Sequence, residues 1–223
     1  MAATGSTGQM GETGAAPRVL PCGDAGLLVE LSGLDEVLAL HGALEDRPPA
    51  GVVDLVPAAR TLLVRFDPLR TGPGEVERAV REAEPVPVQR KSGELVEVPV
   101  VYDGPDLADV AEHTGLSEPE VIAEHTATEW TVAFGGFAPG FGYLTGGSGR
   151  LDVPRRAESR TRVPTGAVGL AGTFSGVYPR SSPGGWQLIG HTDLAMWDVD
   201  RDPPALLRPG VRVRFVDVRG GGS

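Results

Sequence analysis

Glycine dominates the stretch from residue 134 to residue 192 and limits what this part of the chain can fold into. Of its 59 residues, 14 are glycine, whereas average usage, about 7%, would give roughly four. Each glycine inside a helix costs about 1 kcal/mol relative to alanine, so the stretch is unsuited to long helices. Glycine suits tight turns and places where the backbone approaches another group closely. The stretch therefore predicts short strands joined by turns.

The same stretch is the basic part of an acidic protein. The whole chain has a formal net charge of −10, whereas residues 134–192 carry +4 because six arginines face only Asp152 and Glu158. A planar guanidinium binds a carboxylate through two parallel hydrogen bonds. We therefore expect a small anionic ligand at this surface. The six arginines are Arg150, Arg155, Arg156, Arg160, Arg162 and Arg180.

Composition also argues against several classes of function. The acidic balance does not suit nucleic acid, whose phosphates require a broad basic face. No apolar run reaches the roughly 18 residues of a membrane span, and the first residues lack the basic and apolar regions of a signal peptide. We therefore expect a cytoplasmic protein with neither a nucleic-acid nor a membrane partner.

Cysteine, histidine and lysine usage limits the chemistry further. Cys22 is the only cysteine, so an internal disulfide is impossible, and we expect its thiol to be buried and inert. The histidines are scattered, and we expect no metal site. Lys91 is the only lysine and does not follow a glycine, so the phosphate-binding P-loop is absent.

The first part of the chain predicts a small α+β sandwich domain over residues 18–90. Its elements follow the order β-α-β-β-α, which suggests helices packed on one face of a sheet. Residues 1–17 are small and polar and are predicted to be a disordered tail. A proline-bearing segment, 84–94, is predicted to link this domain to the next.

The second domain is predicted over residues 91–218 and begins with a strand at 95–103. Two short helices follow, the first capped by Asp106 and the second opened by a capping box of Ser117 and Glu120. Short strands with glycine and proline between them then predict a barrel or a sandwich. Residues 219–223 are predicted to be frayed. The predicted strands after the helices are 129–134, 162–172, 176–179, 185–190, 194–199 and 211–218.

Several motifs in this order resemble the allophanate hydrolase subunit 1 family. They are GFAPGFGYL at 136–144, VPTGAVGLAG at 163–172 and YPRSSPGGWQLIGHTD at 178–193, supported by GDAGLLVEL at 23–31 and LLRPGVRVRF at 206–215. The resemblance runs from about Arg18 to Val218. It implies a small N-terminal α+β domain followed by a cyclophilin-like β-barrel of the carboxyltransferase type.

The resemblance also implies one component of a multi-protein enzyme. Family members serve as the B subunit of an ATP-dependent 5-oxoprolinase, which together with the A and C subunits hydrolyses 5-oxo-L-proline to L-glutamate. This chain is accordingly expected to be inactive alone and to rely on a partner for ATP. Two alternatives stay open, because function lies in sites and not in folds: a binding protein that inhibits a histidine kinase, and a subunit of an allophanate or urea-type amidohydrolase.

The candidate site residues combine the motif match with residue chemistry. Arg155 and Arg160 are expected to bind the anion, with Arg162 on the same strand face as Arg160. Arg156 and Arg180 are expected to lie on a solvated face or in an interface salt-bridge set. His125 is the candidate general base. Phe174, His191 and Ser159 depart from the family pattern and leave the substrate open. The aromatic residues expected to line an apolar pocket with polar handles are Phe137, Phe141, Tyr143, Tyr178 and Trp186.

Overall fold

A computed structural model describes residues 17–85 and 93–218 of the chain. Contacts between Cα atoms divide the chain into two compact units, Met1–Val88 and Gln89–Ser223. The predicted tail, most of the predicted linker and the predicted frayed end fall on residues 1–16, 86–92 and 219–223, which lie outside the described residues. The domain boundaries drawn from the sequence therefore stay predictions.

The first unit is an antiparallel sheet with two helices. Its four strands lie in the order β1-β2-β4-β3. One helix follows β2 in the chain and the other follows β4, as the sequence predicts. The elements are β1 Arg18–Pro21, β2 Gly26–Glu30, α1 Leu34–Asp46, β3 Val52–Pro57, β4 Thr61–Phe66 and α2 Pro73–Glu82.

Alternating side chains of the central strands form the core of this unit. Leu62, Val64 and Phe66 of β4 are buried on one face of the sheet, because successive side chains of a strand point to opposite faces. The helices contribute a matching apolar stripe at helical spacing, which in α1 is Val37, Leu40 and Leu44. The expectation that Cys22 is buried is wrong: it lies in the turn between β1 and β2, where its side chain is exposed.

The second unit is built on a seven-stranded sheet that curls into a nearly closed barrel. The strand order is β12-β9-β10-β7-β6-β13-β5. Val101, just beyond β5, and His191, the last residue of β12, exchange two backbone hydrogen bonds of 2.9 Å, which join the two edges. The strands are β5 Leu95–Val100, β6 Trp130–Gly135, β7 Gly142–Thr145, β9 Ala167–Ala171, β10 Phe174–Val177, β12 Gln187–His191 and β13 Arg212–Asp217.

Two helices and a two-stranded sheet complete this unit. Helix α3 (Leu107–Thr114) contacts β12, and α4 (Glu118–Ala127) contacts β13. The predicted capping box is present, since the Glu120 carboxylate accepts hydrogen bonds from the N–H and the hydroxyl of Ser117 at 2.8 and 2.7 Å. The small sheet pairs β8 (Arg160–Val163) with β11 (Ser182–Gly184). The expected α+β class and barrel architecture are thus confirmed.

The predicted strand at 194–199 is wrong. This segment makes only an isolated bridge between Trp197 and Ala205. Asp198 turns the chain instead, because its carboxylate accepts the N–H of Asp200 at 3.0 Å and thereby replaces a strand ladder with a local turn. Across the described parts of the chain, no helix is both long and apolar enough to cross a membrane.

The interior of the barrel contains one buried histidine. His125 is 0% exposed and stacks on Phe215 with ring centroids 4.3 Å apart. Its Nδ1 lies 2.7 Å from the Tyr102 hydroxyl, and its Nε2 lies 2.8 Å from the Ser175 hydroxyl. Burial lowers the pKa of His125 to about 3, so the folded protein holds this ring neutral, with both nitrogens hydrogen-bonded.

This buried ring predicts acid sensitivity. The unfolded chain protonates His125 below its usual pKa of 6.5, whereas the folded chain resists protonation down to about pH 3. The contribution of the neutral His125 ring to the free energy of unfolding is fully present above pH 6.5. It decreases as pH falls, by up to about 1.4 kcal/mol per pH unit. His125→Gln should therefore lose less stability than the wild type between pH 7.5 and 5, as measured by urea unfolding. The exposed His113→Gln is the control, and equal pH dependence in wild type and His125→Gln would contradict the assignment.

Candidate functional site

Aromatic rings gather at one place in the second unit, around Phe141. The Phe141 ring centroid lies 5.1 Å from that of Tyr143, 5.5 Å from Tyr178 and 5.3 Å from Trp186, all edge to face. Edge-to-face pairs are a favoured aromatic geometry. The structure thus brings together the five aromatic residues named from the sequence. Phe134 and Phe174 pack against these five residues. We call the seven together the aromatic cluster: Phe134, Phe137, Phe141, Tyr143, Phe174, Tyr178 and Trp186.

Phe137 lies at the open side of the aromatic cluster in a strained conformation. Its φ is +64°, in the left-handed region that bulky residues avoid, and its side chain is 56% exposed. The loop that carries it, 135–141, forms one wall of an open cleft of about 490 Å³, and Ala205 with residues 207–209 forms the other. Strain of this kind concentrates at functional sites, which marks the cleft as a place to look for a ligand.

A buried carboxylate organises the arginines nearby. Asp106 is 1% exposed, and its Oδ1 accepts hydrogen bonds from Arg156 Nη1 at 2.7 Å and Arg160 Nη2 at 2.6 Å. Its Oδ2 accepts the backbone N–H of Leu188 at 2.7 Å. The predicted capping bond to α3 is absent, because these three donors occupy the carboxylate. We call Asp106, Arg156 and Arg160 the Asp106 cluster.

The turn just before α3 determines the position of the Asp106 carboxylate. The N–H groups of Gly104 and Asp106 donate to the carbonyls of Ile189 and Leu188 at 3.2 and 3.0 Å, so this turn lies directly on β12. A side chain at Gly104 would collide with the backbone at Leu188, so the close approach requires glycine there. The turn thereby brings Asp106 within reach of the Leu188 N–H.

Tyr178 connects the Asp106 cluster to the aromatic cluster. Arg160 pairs with Gly184 across β8 and β11, and the Tyr178 hydroxyl occupies the space that a side chain at Gly184 would need. Burial raises the pKa of Tyr178, while a backbone hydrogen bond from Trp186 and the positive charges of Arg155 and Arg160 oppose that rise. Both guanidinium groups therefore act electrostatically on this hydroxyl. We call Tyr178, the arginines Arg155, Arg156 and Arg160, and the aromatic cluster the candidate site.

The candidate site has more positive than negative charge. Arg156 and Arg160 share the buried carboxylate of Asp106, and Arg156 also lies 4.0 Å from the exposed carboxylate of Asp109. Arg155 is exposed and has no carboxylate within 4.0 Å among residues 17–85 and 93–218. In that same part of the chain, Arg156 Nε and Arg160 Nη1 are buried without a hydrogen-bond partner. An anion would supply both the missing charge and the missing acceptors.

The remaining residues named from the sequence lie at or away from this site. Arg162 lies two residues beyond Arg160 on β8, where its Nε donates to Ser181 Oγ at 3.2 Å. His125 lies in the barrel core with no exposed surface and is not part of the candidate site. Of the residues that depart from the family pattern, Phe174 belongs to the aromatic cluster, Ser159 lies against Gly185, and His191 Nδ1 lies 2.8 Å from Asp103 Oδ1.

Sequence reasoning missed the Asp106 cluster. Asp106 fits the pattern of a helix cap, and that local explanation left no reason to seek distant partners. The arginines that bind it are 50 and 54 residues away in the chain. The sequence predicts Arg156 on a solvated face or in an interface salt-bridge set, whereas its side chain is 32% exposed and is paired with a buried carboxylate of the same chain. The sequence offered two separate hints of this cluster: an acidic residue just before an apolar helix, and an arginine-rich segment much later in the chain. Nothing in the sequence pairs the two.

Comparison with known proteins identifies the family to which the chain belongs. Residues 17–207 match the family described as the carboxyltransferase domain, subdomain C and D, and the chain belongs to that family. It is 44% identical over 197 residues to the 5-oxoprolinase B subunit of Escherichia coli O157:H7, covering 86% of this chain and 89% of that protein. It is 40% identical over 207 residues to the 5-oxoprolinase B subunit of Bacillus subtilis, covering 85% and 84%. These matches confirm the resemblance seen in the motifs.

A solved structure supports the fold. The crystal structure of the K. lactis urea amidolyase superposes with a TM-score of 0.72 at 19% identity, covering 91% of this chain and 15% of that chain. At this identity the likeness concerns the fold alone. It agrees with the expected carboxyltransferase-type architecture.

Loss of the buried carboxylate should destabilise the fold. Asp106→Ala leaves Arg156 and Arg160 without their counter-ion and the Leu188 N–H without an acceptor, and breaking a buried pair costs about 3 kcal/mol. The free energy of unfolding in urea measures this loss. Asp109→Ala is the matched control, because Asp109 Oδ2 lies 4.0 Å from Arg156 Nη1 but is 56% exposed. Equal stability of the two variants would contradict the account.

Proposed function

We propose that the protein is the B-type subunit of an ATP-dependent 5-oxoprolinase complex and that its candidate site binds 5-oxo-L-proline. The observation that carries this proposal is the 44% identity to a 5-oxoprolinase B subunit over most of both chains. A match of that extent includes both the α+β unit and the barrel, and it is supported by a second relative of the same name at 40% identity.

The chemistry of the candidate site suits this substrate. 5-Oxo-L-proline is a five-membered lactam that carries one carboxylate. Its carboxylate would accept charge-assisted hydrogen bonds from Arg155 and Arg160, and its ring would lie against the aromatic cluster. The hydroxyls of Tyr143 and Tyr178 would orient the ring amide, that of Tyr178 as a donor, because it already accepts a hydrogen bond from the Trp186 backbone. A mainly apolar pocket with a few convergent polar groups is the usual form of a small-molecule site.

Ring opening requires more than this protein supplies. A lactam carbonyl is a poor electrophile, and phosphorylation of its oxygen by ATP would activate it towards water. The sequence has no P-loop. His125 is buried in the core, so within residues 17–85 and 93–218 we identify no nucleophile–base pair at the candidate site. We therefore assign ATP handling to a partner, in a complex with the A and C subunits of 5-oxoprolinase, and expect the chain to be inactive alone.

Reconstitution tests this proposal. The chain should be co-expressed with candidate A and C subunits, isolated by size-exclusion chromatography, and assayed for L-glutamate formed from 5-oxo-L-proline. The expected result is a stable complex whose activity requires ATP, with no activity from the chain alone. Allophanate should be offered in parallel. Turnover of allophanate instead, or a complex with neither activity, would refute the proposal.

The arginines give a sharper test within the active complex. Arg155→Ala removes charge-assisted hydrogen bonds to the substrate, and each is worth about 1.5–3 kcal/mol. We expect kcat/KM to fall at least about tenfold, which corresponds to 1.4 kcal/mol. The thermal midpoint should not change, because Arg155 has no ion pair within the described residues.

Arg160→Ala should produce the same kinetic loss together with a lower thermal midpoint, because Arg160 also pairs with Asp106. Arg180→Ala, which alters an exposed arginine, is the control and should match the wild type. Unchanged kinetics in both Arg155→Ala and Arg160→Ala would place the ligand elsewhere.

A further inference from the structure

We infer that Arg156 joins Arg155 and Arg160 in binding the ligand's carboxylate, and that Asp106 is the residue that positions Arg156 and Arg160. The inference rests on the proposed function for the identity of the ligand. Binding of the carboxylate can nevertheless be measured without catalytic activity. It gives Arg156 a binding role in place of the solvated-face or interface salt-bridge role expected from the sequence.

The hydrogen-bond inventory of the Asp106 cluster supports this pairing. Asp106 Oδ1 receives one nitrogen from each arginine, Nη1 of Arg156 and Nη2 of Arg160. Within the described residues, Arg156 Nε and Arg160 Nη1 are buried and lack an acceptor. Buried donors without partners are rare in folded proteins because they lose their hydration and gain nothing in return. A ligand carboxylate that reached these nitrogens would supply the acceptors that they lack.

The charges near the pair favour an anion. Arg156 and Arg160 contribute two positive charges against one buried negative charge on Asp106. Asp109 also faces Arg156, at 4.0 Å, but its exposed carboxylate is largely screened by solvent. Glu158 lies in the same loop and is exposed. A single ligand carboxylate would neutralise the charge that remains on the pair.

The backbone holds this arrangement in place before any ligand arrives. Asp106 makes two hydrogen bonds to Leu188, one through its N–H and one through Oδ2, at 3.0 and 2.7 Å. The Arg156 N–H donates to the Gly185 carbonyl at 2.8 Å, and Arg160 is held opposite Gly184 in the small sheet. Groups fixed in their binding geometry lose little conformational freedom on binding, so Asp106 acts through the arginines and need not touch the ligand.

The test compares two ligands that differ in the carboxylate. The full chain is titrated calorimetrically with 5-oxo-L-proline and with 2-pyrrolidinone, the same lactam without its carboxylate. We expect the wild type to bind 5-oxo-L-proline at least about tenfold more tightly. Arg156→Lys retains the charge but lacks the planar fork of donors, and it should reduce that ratio about tenfold while leaving the ligand-free thermal midpoint close to that of the wild type. Arg180→Lys is the control and should keep the ratio.

Asp106→Asn tests the positioning role by the same ratio. Without the negative charge the two guanidinium groups repel each other, so discrimination should fall while the affinity for 2-pyrrolidinone stays unchanged in the folded variant. A purely structural role would change both affinities together or neither. Equal binding of both ligands by the wild type, or a ratio unaffected by Arg156→Lys, would overturn the inference. If the reconstituted complex is inactive but the chain still prefers 5-oxo-L-proline to 2-pyrrolidinone, the proposed function is wrong and the inference holds. If the complex is active but the chain binds both ligands equally, only the inference is wrong.

Discussion

The buried carboxylate of Asp106 is the interaction on which this part of the molecule depends. It joins three segments that are distant in the chain: the turn before α3, the arginine loop before β8, and the start of β12. A carboxylate loses most of its hydration when buried, and only several charge-assisted hydrogen bonds can compensate for that loss. Two guanidinium groups and a backbone N–H provide them. The same bonds that stabilise the fold also hold Arg160, which pairs with Gly184 next to the Tyr178 hydroxyl.

Aromatic packing supplies the other half of the candidate site. The Phe141 ring contacts four neighbours edge to face, and the small residues around it allow the strands to approach. Tyr178 belongs to this packing through its ring and to the charged region through its hydroxyl. The candidate site therefore places packed aromatic rings beside oriented positive charge.

Much of the architecture could be predicted from the sequence because it depends on local patterns. Alternation in β2 and β4, helical spacing in α1 and the capping box of Ser117 are each contained within a few residues. The strand at 194–199 was mispredicted because a single carboxylate, Asp198, redirects the chain. The Asp106 cluster was beyond prediction for a different reason, since its partners lie 50 and 54 residues away. Arg155, Arg160 and Tyr178 were named together as candidate site residues because of the family resemblance.

The left-handed conformation of Phe137 has a consequence for how this chain can change. Glycine or asparagine would adopt that backbone at lower cost, so a library screened for thermal resistance alone would favour their appearance at position 137. Either replacement would also delete the half-exposed ring that packs on Phe141 and Tyr178 at 5.2 and 5.9 Å. Thermal resistance and the shape of the cleft thus make opposing demands on one residue, and a thermostable descendant of this protein would reveal which demand prevailed.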